Sequence, residues 1–367
     1  MVAIRKNKRA HPSYEALMRY ARRLGFGDIH TKVDTATGLN TIIAVHSTKL
    51  GPAIGGVRFY PYANYALAMK DVLRLSYMMT IKAAACDLPH GGAKAVVIKP
   101  KNLVDRDALF RSFGDFVDHL SGRYITAMDV GTFTHDMDVI AERTPYVAGA
   151  AGIDALQSDP SPYTAQGVFN GMLAAVKFKF DRDSLAGMHV AMQGGGNVGY
   201  HLAKLLHEHE VKITIYDNNP EVTQRFAKEF GAQVVTADEI YTVACDIFSP
   251  CAIGGTINLD TLHRINAKII AGSANNQLSH YHIGVLAHNH GILYAPDFVI
   301  NAGGLIQVAA TYDYNDVEIA NKLIAKMYDR MLTLFETSAK MNLPTNTVAE
   351  NIAKEKIAAK KSDVMEV

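Results

Sequence analysis

The chain has 367 residues, 49% of them hydrophobic, which is enough for two domains with a core each. Charged residues make up 20% and the formal net charge is +1, so no broad field points to nucleic acid or to a membrane surface. No apolar run reaches the ~18 residues needed to cross a bilayer, and the basic start "IRKNKR" leads into a helical pattern, not a signal peptide's apolar stretch.

Taken in chain order, "TIIAVHS" (41–47), "AVVIK" (95–99) and "YITAMD" (124–129) are compact apolar strands. Between them "YALAMKDVLRLSYMMTIKAAA" repeats apolar residues at helical spacing, and "DRDALFRSFGDFVDHL" opens with Asp105 as a helix cap. A helical stretch around "THDMDVIAER" precedes "GAAGIDALQSDPSPYT", whose Gly, Ser, Asp and Pro mark a domain boundary. After it come the strand "MHVAMQ", the helix "NVGYHLAKLLHEH", the strand "VKITIYD" and the helix "PEVTQRFAKEF". Further strands follow at "CDIFSP", "AKIIAGS" and "ILYAPDFVI". Such alternation builds a parallel sheet with helices on both faces. The stretches "DVEIANKLIAKMYDRMLTLFETSAKMN" and "NTVAENIAKEKIAAKK" are wholly helical.

The expected fold is therefore α/β in two domains. An N-terminal α/β domain spans 1–150, a Rossmann dinucleotide-binding domain spans 151–339, and helices in 340–367 pack back against the first. Cys86, Cys245 and Cys251 form no CxxC pair and are an odd number for a disulfide framework, which suits a reduced, cytoplasmic protein. None of the 15 histidines falls in an HExxH pattern, and no metal site is expected.

Two stretches carry chemistry. In "VAMQGGGNVGYHLAKLL", Gly194, Gly196 and Gly199 form G-x-G-x-x-G between a strand and a helix, and Asp217 ends the next strand 23 residues after Gly194. Gly194 permits a tight turn, Gly196 lets backbone approach a pyrophosphate, and Gly199 permits close helix–strand packing; Gly195, Asn197 and Val198 complete the turn. The phosphates would lie over the positive end of the helix. Asp217 would accept from ribose hydroxyls and repel a 2′-phosphate, and "DNNPEV" offers no arginine, so NAD is favoured over NADP. In "DLPHGGAKAVVIKP", Lys94 follows Gly91 and Gly92 and opens an apolar run. Lys82 lies in the similarly apolar "MMTIKAAAC", and Asp129 closes "YITAMD". A desolvated lysine beside another cation loses its proton more readily, and a carboxylate nearby can relay one. A strand-end lysine reaching solvent is the plain alternative.

These blocks resemble the amino acid dehydrogenases related to glutamate, leucine, phenylalanine and valine dehydrogenases. The likeness runs from "GPAIGGVRFYPY" (51–62) through "MTIKAAACDLPHGGAKAVV", "ITAMDVGT", "SPYTAQGV", "QGGGNVG" and "AGSANNQL" to "YAPDFVINAGG" and "VINAGGLIQVA" (299–309), and the leucine dehydrogenase branch looks nearest. The resemblance implies that Lys82 binds the substrate α-carboxylate, Lys94 is the catalytic base, and Asp129 exchanges protons with the amino group. It implies that Thr164 and Asn276 hold the nicotinamide end of NAD, Asn301 lies near the substrate, and Gly55 and Gly56 bring backbone close to it. It also implies a cleft closing over the hydride path.

Glutamate enzymes of this family carry a lysine where Ile54 stands. Ile54, Ala127, Leu305 and Val308 match side-chain pocket positions and are all apolar, which argues for a hydrophobic substrate. Leucine, phenylalanine, valine and tryptophan stay open, since one methylene is worth only ~1–3 kcal/mol. His90, Ala83, Asn275, Gln307, Ala310 and Thr311 depart from the leucine-type pattern around the site. The expected activity is NAD-dependent oxidative deamination to a 2-oxo acid and ammonia. The resemblance also implies a homo-oligomer, hexamer or octamer, joined through the helical N-terminal region. A glutamate dehydrogenase and a non-catalytic NAD-binding protein are the rivals.

Overall fold

Apolar β-branched runs and helical spacing dictate the elements. The computed structural model describes residues 13–150 and 159–360, so half of the expected boundary stretch lies outside the described residues. Contacts divide them into one unit of residues 13–83 and 89–150, and a second of residues 84–88 and 159–360.

In the first unit, helix α1 (Tyr14–Leu24) is capped by Ser13 and closed by Gly25 at φ 74°. Strands β1 (Asp28–Asp34) and β2 (Leu39–Ser47) pair antiparallel. Then follow β3 (Ala53–Tyr60), α2 (Tyr65–Ala85), β4 (Gly91–Ile98), α3 (Arg106–Asp118), β5 (Tyr124–Met128) and α4 (Thr134–Ala141). The sheet order is β1-β2-β4-β3-β5, with β3 parallel to both β4 and β5. Asp105 caps α3, its carboxylate accepting from the Ala108 amide at 2.9 Å. Strand alternation sorts the two faces. Ala93, Ala95, Val97, Val57 and Phe59 pack with residues of α3 and α4. Val96, Ile42 and Ala44 pack with residues of α1 and α2. Gly92, Lys94, Ile54, Gly56 and Arg58 share that second face by the same alternation.

The second unit begins with α5 (Ser161–Phe180), β6 (His189–Gln193), α6 (Asn197–Glu208), β7 (Lys212–Tyr216), α7 (Pro220–Phe230), β8 (Gln233–Val234) and β9 (Ile247–Pro250). It continues through α8 (Leu259–Arg264), β10 (Ile269–Ile270), α9 (His282–Asn289), β11 (Leu293–Tyr294) and α10 (Asp297–Ile300). It ends with α11 (Gly303–Tyr314), α12 (Val317–Ala325), α13 (Met327–Met341) and α14 (Thr345–Ala359). All its strand pairs are parallel, in the order β11-β10-β9-β6-β7-β8. The chain starts mid-sheet at β6, winds out to β8 and returns to β9, which places a topological switch between β6 and β9, the doubly wound Rossmann arrangement.

Three details differ from the sequence reading. Residues 292–300 do not form one strand; Pro296 ends β11 and Asp297 starts α10. Strand β4 begins at Gly91, so Lys94 is its fourth residue and not its opening one. The division expected at 339/340 has no counterpart, because α14 groups with the second unit. There the Thr345 hydroxyl donates to the Tyr294 carbonyl at 2.6 Å, and Asn346 lies against Gly284, where an added Cβ would meet Asn346 Oδ1 at 2.2 Å. Residues 361–367 lie outside the described ones. No described helix is long and apolar enough to cross a membrane.

Candidate active site

The glycines before Lys94 are explained by close approach. A Cβ on Gly92 would sit 2.0 Å from the Thr80 nitrogen of α2, and one on Gly91 would sit 1.8 Å from the Ser47 carbonyl oxygen. Gly55 and Gly56 obey the same rule on β3: their Cβ atoms would meet the Ala93 and Met128 carbonyl oxygens at 1.8 and 2.4 Å. Bare backbone here lets β3, β4, β5 and α2 crowd together around one buried cation.

That cation is Lys94, 6% exposed. Its Nζ lies 3.3 Å from Asp129 Oδ2, just beyond the end of β5. The same oxygen accepts from Arg58 Nε at 2.8 Å, and Arg58 Nη1 donates to Asp71 Oδ2 on α2, also at 2.8 Å. The Tyr62 hydroxyl donates to Asp71 Oδ2 at 2.7 Å, and Arg74 Nη2 donates to Asp71 Oδ1 at 3.0 Å. The result is a continuous chain of ionic side chains on one face of the sheet.

Burial depresses the Lys94 pKa below that of an ordinary lysine; Asp129 opposes this and the Arg58 cation adds to it. For Asp129 burial acts upward, but Lys94 and Arg58 outweigh it and hold the carboxyl below its ordinary value. Asp71 is likewise lowered: burial is overcome by the Tyr62 hydrogen bond and by Arg58 and Arg74. An ammonium that is easily deprotonated, beside a carboxylate that stays ionised, is an arrangement suited to moving protons.

The other positions singled out in this unit sit as follows. Ala127 on β5 keeps 8% exposure, whereas Ile54 has none and belongs to the packed layer against α2. Lys82 is half-buried on α2, two residues past Thr80. His90 is buried, with Nδ1 3.0 Å from the Pro52 carbonyl oxygen, as a satisfied loop histidine would be. Arg58, Asp71, Tyr62 and Arg74 received no role in the sequence reading. Their available signals were the position of Arg58 two residues past Gly56 on a strand and the Asp71/Arg74 pair at helical spacing.

In the second unit the glycine turn joins β6 to α6. Gly194 has φ 104°, and a Cβ there would meet the Ala252 nitrogen at 2.7 Å. A Cβ on Gly199 would meet the Gly194 carbonyl oxygen at 2.7 Å, whereas around Gly196 nothing lies within 4 Å. Gly196 is the N-cap of α6 and no side chain caps the helix, so the mouth of the turn is open to an anion. Asn197 is exposed there and Val198 half-buried. Gly195 donates to Asp217 Oδ2 and Asn219 to Asp217 Oδ1, both at 2.8 Å, fixing that carboxylate at the end of β7. These features fit a dinucleotide.

Thr164 on α5 donates to the Pro160 carbonyl at 2.9 Å and abuts Gly304 of α11. Asn301 is buried and its amide holds the next loop, donating to the Ser273 carbonyl at 3.0 Å and to Asn275 Oδ1 at 2.9 Å. Asn276, exposed and at φ 52°, donates its amide to Asp297. Leu305 and Val308 are half-buried on one face of α11. Lys82, Lys94, Asp129, Ile54, Gly55, Gly56 and Ala127 thus belong to the first unit, and the remaining expected positions to the second. Cys86, Cys245 and Cys251 form no disulfide, and no cluster placed to hold a metal ion occurs among the described residues.

Comparison with known proteins agrees with this geometry. Residues 27–146 match the family model described as Glu/Leu/Phe/Val dehydrogenase, dimerisation domain, and residues 214–364 match Glutamate/Leucine/Phenylalanine/Valine dehydrogenase. The chain is similar to the leucine dehydrogenase of Geobacillus stearothermophilus, 46% identical over 342 residues and 93% of each chain. It is also similar to the L-tryptophan dehydrogenase of Nostoc punctiforme, 45% identical over 322 residues, 87% of this chain and 90% of the other. A crystal structure of L-tryptophan dehydrogenase from Nostoc punctiforme aligns with a TM-score of 0.83 at 41% identity, covering 94% of this chain and 99% of that one. The chain therefore belongs to the Glu/Leu/Phe/Val dehydrogenase family of amino acid dehydrogenases, oxidoreductases that use a nicotinamide cofactor.

Proposed function

We propose that this chain catalyses the NAD-dependent, reversible oxidative deamination of a hydrophobic L-amino acid of the leucine, branched-chain type, giving the 2-oxo acid, ammonia and NADH. The observation that carries the reading is Lys94: a buried ammonium, depressed in pKa, 3.3 Å from an ionised Asp129. NAD is chosen over NADP because Asp217, fixed by two backbone amides, would repel a 2′-phosphate.

In this mechanism Lys82 pairs with the substrate α-carboxylate while Gly55 and Gly56 let the substrate approach the sheet. Thr164 and Asn276 would hold the nicotinamide end of the cofactor, which would supply the hydride acceptor. Neutral Lys94 takes a proton from the water that adds to the oxidised α-carbon, and Asp129, ionised at rest, takes a proton from the hydroxyl of that adduct and returns it to the departing amine. Each turnover consumes one water and releases ammonium and one proton beside NADH. By the resemblance, Ile54 and Ala127 of the first unit and Asn301, Leu305 and Val308 of the second are assigned to substrate recognition, and the Asn301 amide also braces the loop that carries Asn275 and Asn276. The reading includes a homo-oligomer assembled through the first unit, where the dimerisation-domain match lies.

Initial rates of NADH formation across a panel of L-amino acids, repeated with NADP, test the proposal. Branched-chain substrates should give the highest kcat/KM, with NAD strongly preferred. A maximum on tryptophan or phenylalanine would overturn the branched-chain assignment; activity with glutamate alone, or with nothing, would overturn the function.

A further inference from the structure

We infer that Arg58, anchored by Asp71, is a positioning residue for the reaction proposed above: it fixes the Asp129 carboxylate, shares its charge, and so leaves Lys94 able to release its proton.

The geometry is specific. One guanidinium spans two carboxylates, Nε to Asp129 and Nη1 to Asp71, at 2.8 Å each. The Asp129 oxygen it engages is the one facing Lys94 at 3.3 Å, so a single oxygen serves two cations and Lys94 has the longer contact. Asp71 is itself held by Tyr62 and Arg74, which leaves Arg58 little freedom to turn away. The charges decide what this does. Protonated Lys94 together with Arg58 and Arg74 brings three cations to the Asp129 and Asp71 carboxylates; with Lys94 neutral, two arginines meet two aspartates. Buried ionic groups are costly unless balanced and hydrogen-bonded, so the cluster favours the neutral lysine.

The other titratable groups around this face do not reverse that balance. His46 on β2 contacts the Thr80 hydroxyl at 2.8 Å and the Leu24 carbonyl at 2.7 Å, and burial lowers its pKa, keeping it neutral. Tyr62 is raised by burial and by Asp71, so it stays a donor. Tyr124 faces the α3/α4 layer and donates to the Gly55 carbonyl, its own pKa raised by burial.

Removing either member of the Arg58–Asp71 pair should therefore move Lys94 in opposite directions. In Arg58→Met the cation is lost and Asp129 pairs with Lys94 alone. In Asp71→Asn a carboxylate is lost and Arg58 stays wholly on Asp129. The experiment uses the full-length protein and reads the acid limb of kcat/KM against pH, together with the pH dependence of Lys94 acetylation by trace acetic anhydride, scored by mass spectrometry. Arg58→Met should raise both midpoints by ~1 unit or more, Asp71→Asn should lower both, and Arg58→Lys should bring the limb part of the way back. The inference is overturned if Arg58→Met reduces kcat/KM equally at every pH with the limb unmoved, or if both variants shift it the same way. The labelling arm keeps the two readings apart: an unmodified protein that oxidises no amino acid ends the proposed function, while the opposite shifts at Lys94 still decide the role of Arg58. Should Arg58→Met not fold, Asp71→Asn and Arg58→Lys supply the same comparison.

Discussion

Replacing Lys94 with methionine separates catalysis from stability. The side chain keeps its length and its burial but loses the proton-carrying group. Asp129 is not orphaned, because Arg58 Nε remains 2.8 Å from its Oδ2. Exchanging a buried charged partner for an apolar side chain of similar volume is commonly neutral, or stabilising by ~1–4 kcal/mol. Loss of a general base costs ~10²–10⁴ in rate, or roughly 2.7–5.4 kcal/mol of barrier. Asp129→Ala is the contrasting change, since it leaves Lys94 buried against Arg58 with no carboxylate contact; breaking a buried pair from one side costs ~3–5 kcal/mol. Deprotonation of Lys94 would refund part of that. Steady-state kcat/KM with leucine and NAD, measured beside thermal melts of all three proteins, gives the answer. Lys94→Met should lose activity with an unchanged or raised melting temperature, and Asp129→Ala should lose both. Activity of Lys94→Met within tenfold of the unmodified protein, or a melting loss equal to that of Asp129→Ala, would refute the reasoning.

In the proposed mechanism oxidative deamination needs neutral Lys94, so kcat/KM should rise with pH through a midpoint below the ordinary lysine value of 10.5; a limb at or above that value would contradict the depressed pKa. Asp217→Ala should narrow the NAD-to-NADP preference measured from the two kcat/KM values, and an unchanged ratio would place the ribose elsewhere. Gly196→Ala has nothing within 4 Å to strike, so the protein should fold normally yet show a raised KM for NAD; Gly199→Ala, 2.7 Å from the Gly194 carbonyl oxygen, should instead lower the melting temperature by overpacking worth ~1–3 kcal/mol. Cys251 follows β9 beside the glycine turn and is half-buried, so NAD should slow its alkylation in a mass-spectrometric time course. Cys245, its thiol pushed up to about 12 by burial, should react slowly with or without NAD.

The parts of the fold that bury regular apolar runs were readable from the chain. Strand alternation and the β6–turn–α6 spacing led to the parallel sheet, and Lys94 and Asp129, 35 residues apart in sequence, lie 3.3 Å apart in space. Strands β1 and β3 were not readable. The segment "DIHTKVD" forms a half-exposed edge whose polar residues hide the alternation. The segment "AIGGVRFY" carries two glycines and an arginine, which read locally as a loop. What makes it a strand is tertiary: neighbouring backbones come so close that any side chain at Gly55 or Gly56 would collide with them. Arg58 was missed for the same reason, since without β3 there is no face on which to place it opposite Asp129.

The departures from the leucine-type pattern make physical sense in pairs. Asn275 accepts from the Asn301 amide at 2.9 Å, and Gln307 donates to the Thr311 hydroxyl at 3.2 Å one helical turn along α11. Ala83 and Ala310 are buried against neighbours and carry no polar group to satisfy. An uncharged residue at one place is thus met by an uncharged partner at another, and none of these contacts touches Lys94, Asp129 or Arg58. Substitutions so arranged alter the α11 face and the loop that Asn301 braces, away from the Lys94–Asp129 pair. On that face Leu305 and Val308 stand three residues apart and keep accessible surface, whereas Ile54 in the first unit has none. On the proposed assignment, substitutions at Leu305 and Val308 are therefore tolerated more readily than at Ile54, where any larger residue must first displace a packed layer.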